Sequence, residues 1–111
     1  MNRRKHFLNI YFITILVYAT LHGASQAQSG IAQGLCETGA NVLNAQTIPF
    51  RRQGIPIDYA EKAFDTFIDQ PRFWRFMRRA VQQTYADPDG MTRSLRDGSW
   101  MGACIRAVQG F

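Results

Sequence analysis

Apolar residues recur at three- and four-residue steps along most of the chain, which is the spacing of amphipathic helices. The clearest stretch runs from Pro71 to about Ala86, and proline suits the first position of a helix. No segment alternates apolar and polar residues for long enough to predict a strand. The apolar face of this helix is predicted to consist of Phe73, Trp74, Met77, Ala80, Val81 and Thr84.

Two more helices are predicted before this stretch. The first runs from about Ile31 to Ile48, because Pro49 removes a backbone hydrogen bond and is expected to end or kink the helix. The second runs from Asp58 to about Asp69, and Asp58 has the spacing of a capping-box residue relative to Glu61. Its inward side is predicted to hold Ala60, Ala63, Phe64, Phe67 and Ile68.

The segment Asp87-Pro88-Asp89-Gly90 has the composition of a turn, and a last helix is predicted from about Thr92 to Val108. Gly98 and Gly102 lower the helix propensity of this last segment, or let a neighbouring helix approach closely. Short connections between helices favour an antiparallel arrangement. The sequence therefore predicts an all-α fold, a small antiparallel bundle of about four helices.

The N-terminus has the three parts of a secretory signal peptide, which predicts export. Basic residues at positions 3–5 precede an apolar run from Phe7 to Leu21, and small residues follow up to Ala27. Cleavage of residues 1–27 leaves residues 28–111 as a single domain in the periplasm or outside the cell, with membrane contact only through the signal. The alternative is an uncleaved anchor, although the run is shorter than the about 20 apolar residues of a spanning helix.

Loss of the signal peptide lowers the net charge of the domain and removes its histidines. Three of the 13 basic residues leave and all 8 acidic residues stay, so the net charge falls from +5 to +2. A small charge and an exported location argue against nucleic acid as a partner. Both histidines, His6 and His22, also leave. Without imidazole for acid–base catalysis, nucleophile activation or zinc binding, we expect a non-enzymatic domain with no cofactor and no metal.

Two cysteines remain, Cys36 and Cys104, near the two ends of the domain. In an oxidising compartment this pair predicts one disulfide, although a free thiol or an intermolecular bridge fits the same count. The chain-entropy treatment values a bridge that closes a loop of about 69 residues at roughly 4 kcal/mol. Such a bridge would supply a large share of the stability of so small a bundle.

Two predicted helix faces carry charges of opposite sign. The acidic face on the second helix suits a cation or a basic partner, but it is more typical of a solvated surface. On the third helix, arginines lie opposite the apolar residues, and guanidinium groups match carboxylates and phosphates in geometry. These arginines are predicted to bind an anionic protein or another anionic component of the cell envelope. The alternative is that they serve solubility alone, or reflect arginine-rich coding without a function. The acidic face consists of Asp58, Glu61, Asp65 and Asp69, and the arginine face of Arg72, Arg75, Arg78 and Arg79.

Short patterns along the chain resemble those of small, largely uncharacterised exported bacterial proteins. They are an early cysteine, Cys36, an Arg-x-x-Gly stretch at 51–54, a Tyr-x-x-Pro turn at 85–88 and a closing cysteine, Cys104. The resemblance implies a small exported helical protein and no known activity. Periplasmic acid-stress chaperones and immunity proteins that neutralise secreted toxins share only the format of a small helical domain with one disulfide.

The function expected from the sequence is that of a non-enzymatic periplasmic or secreted binding protein, of the inhibitor or immunity type, that uses its arginine face. One alternative is an acid- or envelope-stress chaperone. Its eight carboxylates and lack of histidine would place its change of charge at about pH 4. The other alternative is a small enzyme that relies on carboxylates alone.

Overall fold

Helix α1 spans residues 30–52 in the computed structural model, which describes residues 30–110. The predicted signal, residues 1–27, lies outside the described residues. The helix is α-helical over residues 30–42, π-helical over Leu43–Thr47 and α-helical again over Ile48–Arg52. The predicted end at Ile48 is wrong, because the N–H of Ile48 bonds to the carbonyl of Leu43, five residues back. This wider turn displaces the carbonyl with which the Pro49 ring would clash, so the helix continues.

The end of α1 is fixed by a glycine. Gly54 has a φ of +76°, a conformation that favours a residue without a Cβ. Its N–H donates to the carbonyl of Arg51, and the N–H of Ile55 donates to the carbonyl of Phe50. This pair of hydrogen bonds is the Schellman arrangement, which satisfies carbonyls left unpaired at the last turn.

Helix α2 is short, Ile57–Lys62, and a 3-10 turn follows at Asp65–Phe67. The second helix therefore ends before the predicted Asp69. The predicted capping box is also wrong, because Pro56 is the N-cap residue, no side chain caps the helix and Asp58 lies in the first turn. Ile68 was predicted to face inward but is 66% exposed, since the helical phase does not continue past Lys62.

Helix α3 spans Pro71–Ala86 with Pro71 in its first turn, as predicted. It contacts each of the other helices. Thr84 is fully buried, and its hydroxyl donates to the carbonyl of Ala80 at 2.7 Å, which satisfies this polar group within the core. Trp74 is half-buried. The remaining residues of the predicted apolar face are buried, namely Phe73, Met77, Ala80 and Val81.

The C-terminal part of the chain forms two helices where one was predicted. These are α4, Pro88–Asp97, and α5, Ser99–Gln109, and Gly98 separates them with a φ of +85°. The predicted turn at Asp87–Gly90 is instead the start of α4. The carboxylate of Asp87 accepts a hydrogen bond from the N–H of Gly90 at 2.9 Å, and Pro88 takes the first helical position.

The predicted disulfide joins Cys36 of α1 to Cys104 of α5, with a Cα–Cα distance of 5.9 Å. Both cysteines are fully buried in the core. The all-α prediction is confirmed, since no strand occurs within residues 30–110. The largest residues of the core cluster that includes the bridge are Leu43, Ile48, Phe64, Phe73, Met77, Met91 and Trp100.

Candidate functional site

The four arginines of the predicted binding face all lie on α3, and all are exposed. They line one open depression of about 660 Å³ together with Trp74 and with Ala107 of α5. Residues three and four apart are neighbours on a helix, which explains why these side chains gather on one side of α3. We call Arg72, Arg75, Arg78 and Arg79 the arginine surface.

Arg78 is oriented by two neighbours. Its guanidinium carbon lies 4.9 Å from the centre of the Trp74 ring, which is a cation–π contact. Its Nη2 atom lies 3.7 Å from Oε2 of Glu61 on α2. The side chain of Arg78 is 45% exposed and that of Glu61 is 22% exposed, so solvent screening keeps the pair's contribution to stability below about 1 kcal/mol. The contacts therefore matter more for the position of Arg78 than for folding.

The other three arginines keep most of their donors available. Arg75 donates from Nε to the carbonyl of Pro71 at 3.2 Å, which leaves its terminal nitrogens. The guanidinium of Arg72 lies against Gly110 at the end of α5, where an added Cβ would collide with it. Within residues 30–110, neither Arg72, Arg75 nor Arg79 has a carboxylate partner. Three uncompensated positive charges therefore line the depression.

A second depression of about 240 Å³ shares Arg72 with the first. The rest of its lining comes from Gln70, Pro71 and Phe73 at the start of α3 and from Val108 on α5. Both depressions thus follow the seam between α3 and α5. Sequence periodicity did not reveal this seam, because it depends on how the two helices pack together.

The predicted acidic face does not form one helix face, because α2 ends at Lys62. Asp58, Asp65 and Asp69 are exposed at separate places along the segment. Glu61 instead lies beside the arginine surface, where its carboxylate contacts Arg78. In the described part of the chain, no group of three His, Cys, Asp or Glu residues is placed to hold a metal ion.

Two of the short sequence patterns meet in space, and their contacts hold the fold together. Nε of Arg51 donates to the carbonyl of Tyr85 at 2.8 Å, and the Tyr85 hydroxyl donates to the carbonyl of Ile55 at 2.7 Å. Burial raises the pKa of Tyr85, and the charge of Arg51 partly opposes this shift. An exposed ion pair at 3.4 Å joins Arg52 to Asp89 nearby. These residues fasten the end of α1 to the junction between α3 and α4, so we assign them a structural role.

A third depression of about 420 Å³ lies at the start of α4. Asp87 is the charged residue of its lining, and its carboxylate is committed to the cap of α4. Trp100 also lines it, and the buried Nε1 of Trp100 has no hydrogen-bond partner within residues 30–110; the same is true of Trp74 Nε1 and Thr47 Oγ1. With few available polar groups, this depression is a weaker candidate than the arginine surface.

Hydrogen bonds also lower the pKa of one carboxyl group at the junction between α4 and α5. The hydroxyl and the backbone N–H of Ser99 lower the pKa of Asp97, and the N–H lies 2.8 Å from Oδ1. Asp97 is fully exposed in this position, whereas acids and bases with a functional pKa shift lie in clefts. The shift is explained by the turn at Gly98, so we assign Asp97 a local structural role.

None of the helices in the described range is long and apolar enough to cross a membrane. Comparisons with protein-family models, curated proteins and solved structures give no significant match to this chain. The arginine surface is therefore the feature of the described residues that best indicates a function.

Proposed function

We propose that this domain is a non-enzymatic binding protein of the periplasm or the extracellular space, and that its arginine surface binds an anionic protein in the manner of an inhibitor or immunity-type protein. One observation carries the proposal. Arg72, Arg75 and Arg79 line a single open depression without carboxylate partners in the described part of the chain. Guanidinium groups whose donors are available bind carboxylates through paired, charge-assisted hydrogen bonds.

The energetics of α3 support a binding role for these residues. Like charges three and four residues apart destabilise a helix by roughly 0.2–0.5 kcal/mol per pair. These like-charged pairs therefore oppose folding slightly, and an anionic partner would reverse this effect.

The disulfide supports the proposed location. Cys36 and Cys104 are paired and fully buried, and bridges of this kind form and persist in oxidising compartments. A bundle held by such a bridge suits a binding protein outside the cytoplasm.

Affinity capture with matched charge variants tests the proposal. The purified protein, the variant Arg75→Glu/Arg79→Glu and the control Arg93→Glu/Arg96→Glu are each used as bait in cell-envelope extract. The two variants change the net charge equally, and Arg93 and Arg96 are exposed on α4, outside the depression. We expect the wild type and the control to retain the same acidic protein, identified by mass spectrometry, and the α3 variant to lose it.

Salt dependence provides a second measurement on the captured protein. The Debye length shortens from about 10 Å at 0.1 M salt to about 3 Å at 1 M, so exposed charge pairs weaken. Binding should fall over this range, with circular dichroism confirming that each bait is folded. Equal retention by the α3 variant and the wild type would exclude the arginine surface as the binding site.

A further inference from the structure

The arginine surface continues past Arg72 into a region of different chemistry. Arg72 lines both depressions of the seam, the one of about 660 Å³ and the one of about 240 Å³. Toward Arg79 the lining holds all four arginines with Trp74 and Ala107. Toward the start of α3, three of the five lining residues are apolar, namely Pro71, Val108 and the edge of the largely buried Phe73. The seam between α3 and α5 therefore has a charged part and an apolar part, joined at Arg72.

The seam has the length of a short extended peptide. An α-helix rises 1.5 Å per residue, so the stretch of α3 from Arg79 back to Pro71 covers about 12 Å. An extended chain covers this distance in about four steps of 3.3 Å. Alternate side chains of an extended chain lie on the same side. Acidic residues at the first and third positions would reach Arg79 and Arg75, and the fifth side chain would reach the apolar part.

We propose that the partner binds through an extended acidic segment whose carboxylates, at alternate positions, bind Arg79 and Arg75, and whose following apolar side chain enters the depression lined by Pro71, Phe73 and Val108. This inference rests on the proposed function, because it specifies the ligand of the same surface. The apolar part of the seam favours a peptide over other anions. A polyanionic glycan has no apolar group to bury there, and lipid headgroups present their charges in a plane.

Short labelled peptides test this specificity. Fluorescein-labelled Glu-Ser-Glu-Ser-Leu, with its remaining terminus blocked to remove the charge, is titrated with the protein and followed by fluorescence anisotropy. The controls are Glu-Ser-Glu-Ser-Ser and Gln-Ser-Gln-Ser-Leu, and the reversed sequence Leu-Ser-Glu-Ser-Glu tests the opposite chain direction. We expect the better of the two chain directions to bind about tenfold more tightly than the all-Ser control, because a partly buried leucine side chain contributes that much. The Gln peptide should bind most weakly.

Protein variants separate the two parts of the seam. Arg75→Glu/Arg79→Glu should weaken both acidic peptides, whereas Arg93→Glu/Arg96→Glu should weaken neither. Val108→Ser should abolish the preference for Leu over Ser and leave the affinity for the all-Ser peptide unchanged. Val108 is half-buried, so the unfolding midpoint of this variant is measured as well. If the variant is unstable, the comparison of Leu and Ser peptides on the wild-type protein still decides the question.

The outcomes distinguish this inference from the proposed function. Equal affinity for the Leu and Ser peptides, with both weakened by Arg75→Glu/Arg79→Glu, would overturn the inference and leave the proposed function intact. Insensitivity of the peptides and of the captured partner to that variant would overturn both. A heparin fragment or phosphatidylglycerol vesicles that bind the same arginines more tightly than the Leu peptide would contradict the assignment of a peptide ligand.

Discussion

At the scale of single residues, Tyr85 connects parts of the chain that are distant in sequence. Its hydroxyl donates to the carbonyl of Ile55 at 2.7 Å, and its own carbonyl accepts from Arg51 at 2.8 Å. We expect Tyr85→Phe to lower the free energy of unfolding by about 1–2 kcal/mol, because the carbonyl of Ile55 loses its partner while the ring remains. Urea unfolding at neutral pH measures this loss. An unchanged unfolding midpoint would mean that water replaces the hydroxyl without cost.

Tyr85 should also make the stability of the protein depend on pH in the alkaline range. Burial raises the pKa of Tyr85 above its ordinary value of 10.0, so the folded protein holds the hydroxyl proton more tightly than the unfolded chain does. The resulting stabilisation is complete below pH 10 and is lost as the pH rises through the folded pKa. The difference in unfolding free energy between the wild type and Tyr85→Phe should therefore shrink above pH 10. A difference that stays constant with pH would contradict the assigned role.

At the scale of the helices, the start of α4 depends on a single cap. The carboxylate of Asp87 accepts from the N–H of Gly90 at 2.9 Å. We expect Asp87→Ala to destabilise the protein by about 0.5–2 kcal/mol, the usual effect of losing an N-cap side chain. Asp89→Ala is the matched control, because it removes one negative charge from the same helix end and an exposed ion pair with Arg52, but leaves the cap in place. Thermal unfolding of both variants measures the difference, and equal melting temperatures would rule out the cap as a stabilising element.

The break between α4 and α5 depends on the backbone conformation of Gly98. Its φ is +85°, and a Cβ placed there meets nothing within 4 Å. Gly98→Ala should therefore destabilise by about 1–2 kcal/mol through the backbone alone. Gly34→Ala is the control, because Gly34 also has open space but lies within α1, where alanine is favoured by up to about 1 kcal/mol. Opposite shifts of the unfolding midpoint are expected, and shifts of the same sign would contradict this explanation.

The helices that the sequence predicted well are those specified by local signals. Helix α3 begins and ends where its proline and its 3.6-residue periodicity indicate, because both act within the segment itself. Pro49 failed as a helix end, since a π-helical turn accommodates it. Asp87-Pro88-Asp89-Gly90 failed as a turn, because aspartate followed by proline signals a helix start as well. Where one local signal fits two structures, packing decides between them.

At the scale of the whole molecule, the sequence placed the arginines on one face but did not reveal the surface that they form. The i to i+4 spacing of Trp74 and Arg78 is a signal from which their stacking was predictable. The contact of Arg78 with Glu61, the seam along Val108 and the contacts of Tyr85 join residues far apart in the chain. Such contacts follow from the packing of α3 against the other helices. The sequence pattern of a single helix carries no information about that packing.

The disulfide is expected to supply much of the stability of this packing. It joins α1 to α5 across a sequence separation of 68 residues, and its loss enlarges the set of conformations open to the unfolded chain. We expect Cys36→Ala/Cys104→Ala to lower the free energy of unfolding by about 4 kcal/mol, a large share of the stability of so small a domain. Urea unfolding with and without reductant measures this loss.

The variant without cysteines also provides the control for reduction. Reductant should destabilise the wild type and leave the double variant unchanged, because no other bridge occurs within residues 30–110. Both cysteines are fully buried, so the native protein should be reduced slowly, and faster as urea opens the core around the bridge. Equal stability of the oxidised and reduced wild type would show that the helices hold α1 against α5 without the bridge. The arginine surface would then survive in a reducing compartment, and the disulfide would no longer argue for a site of action outside the cytoplasm.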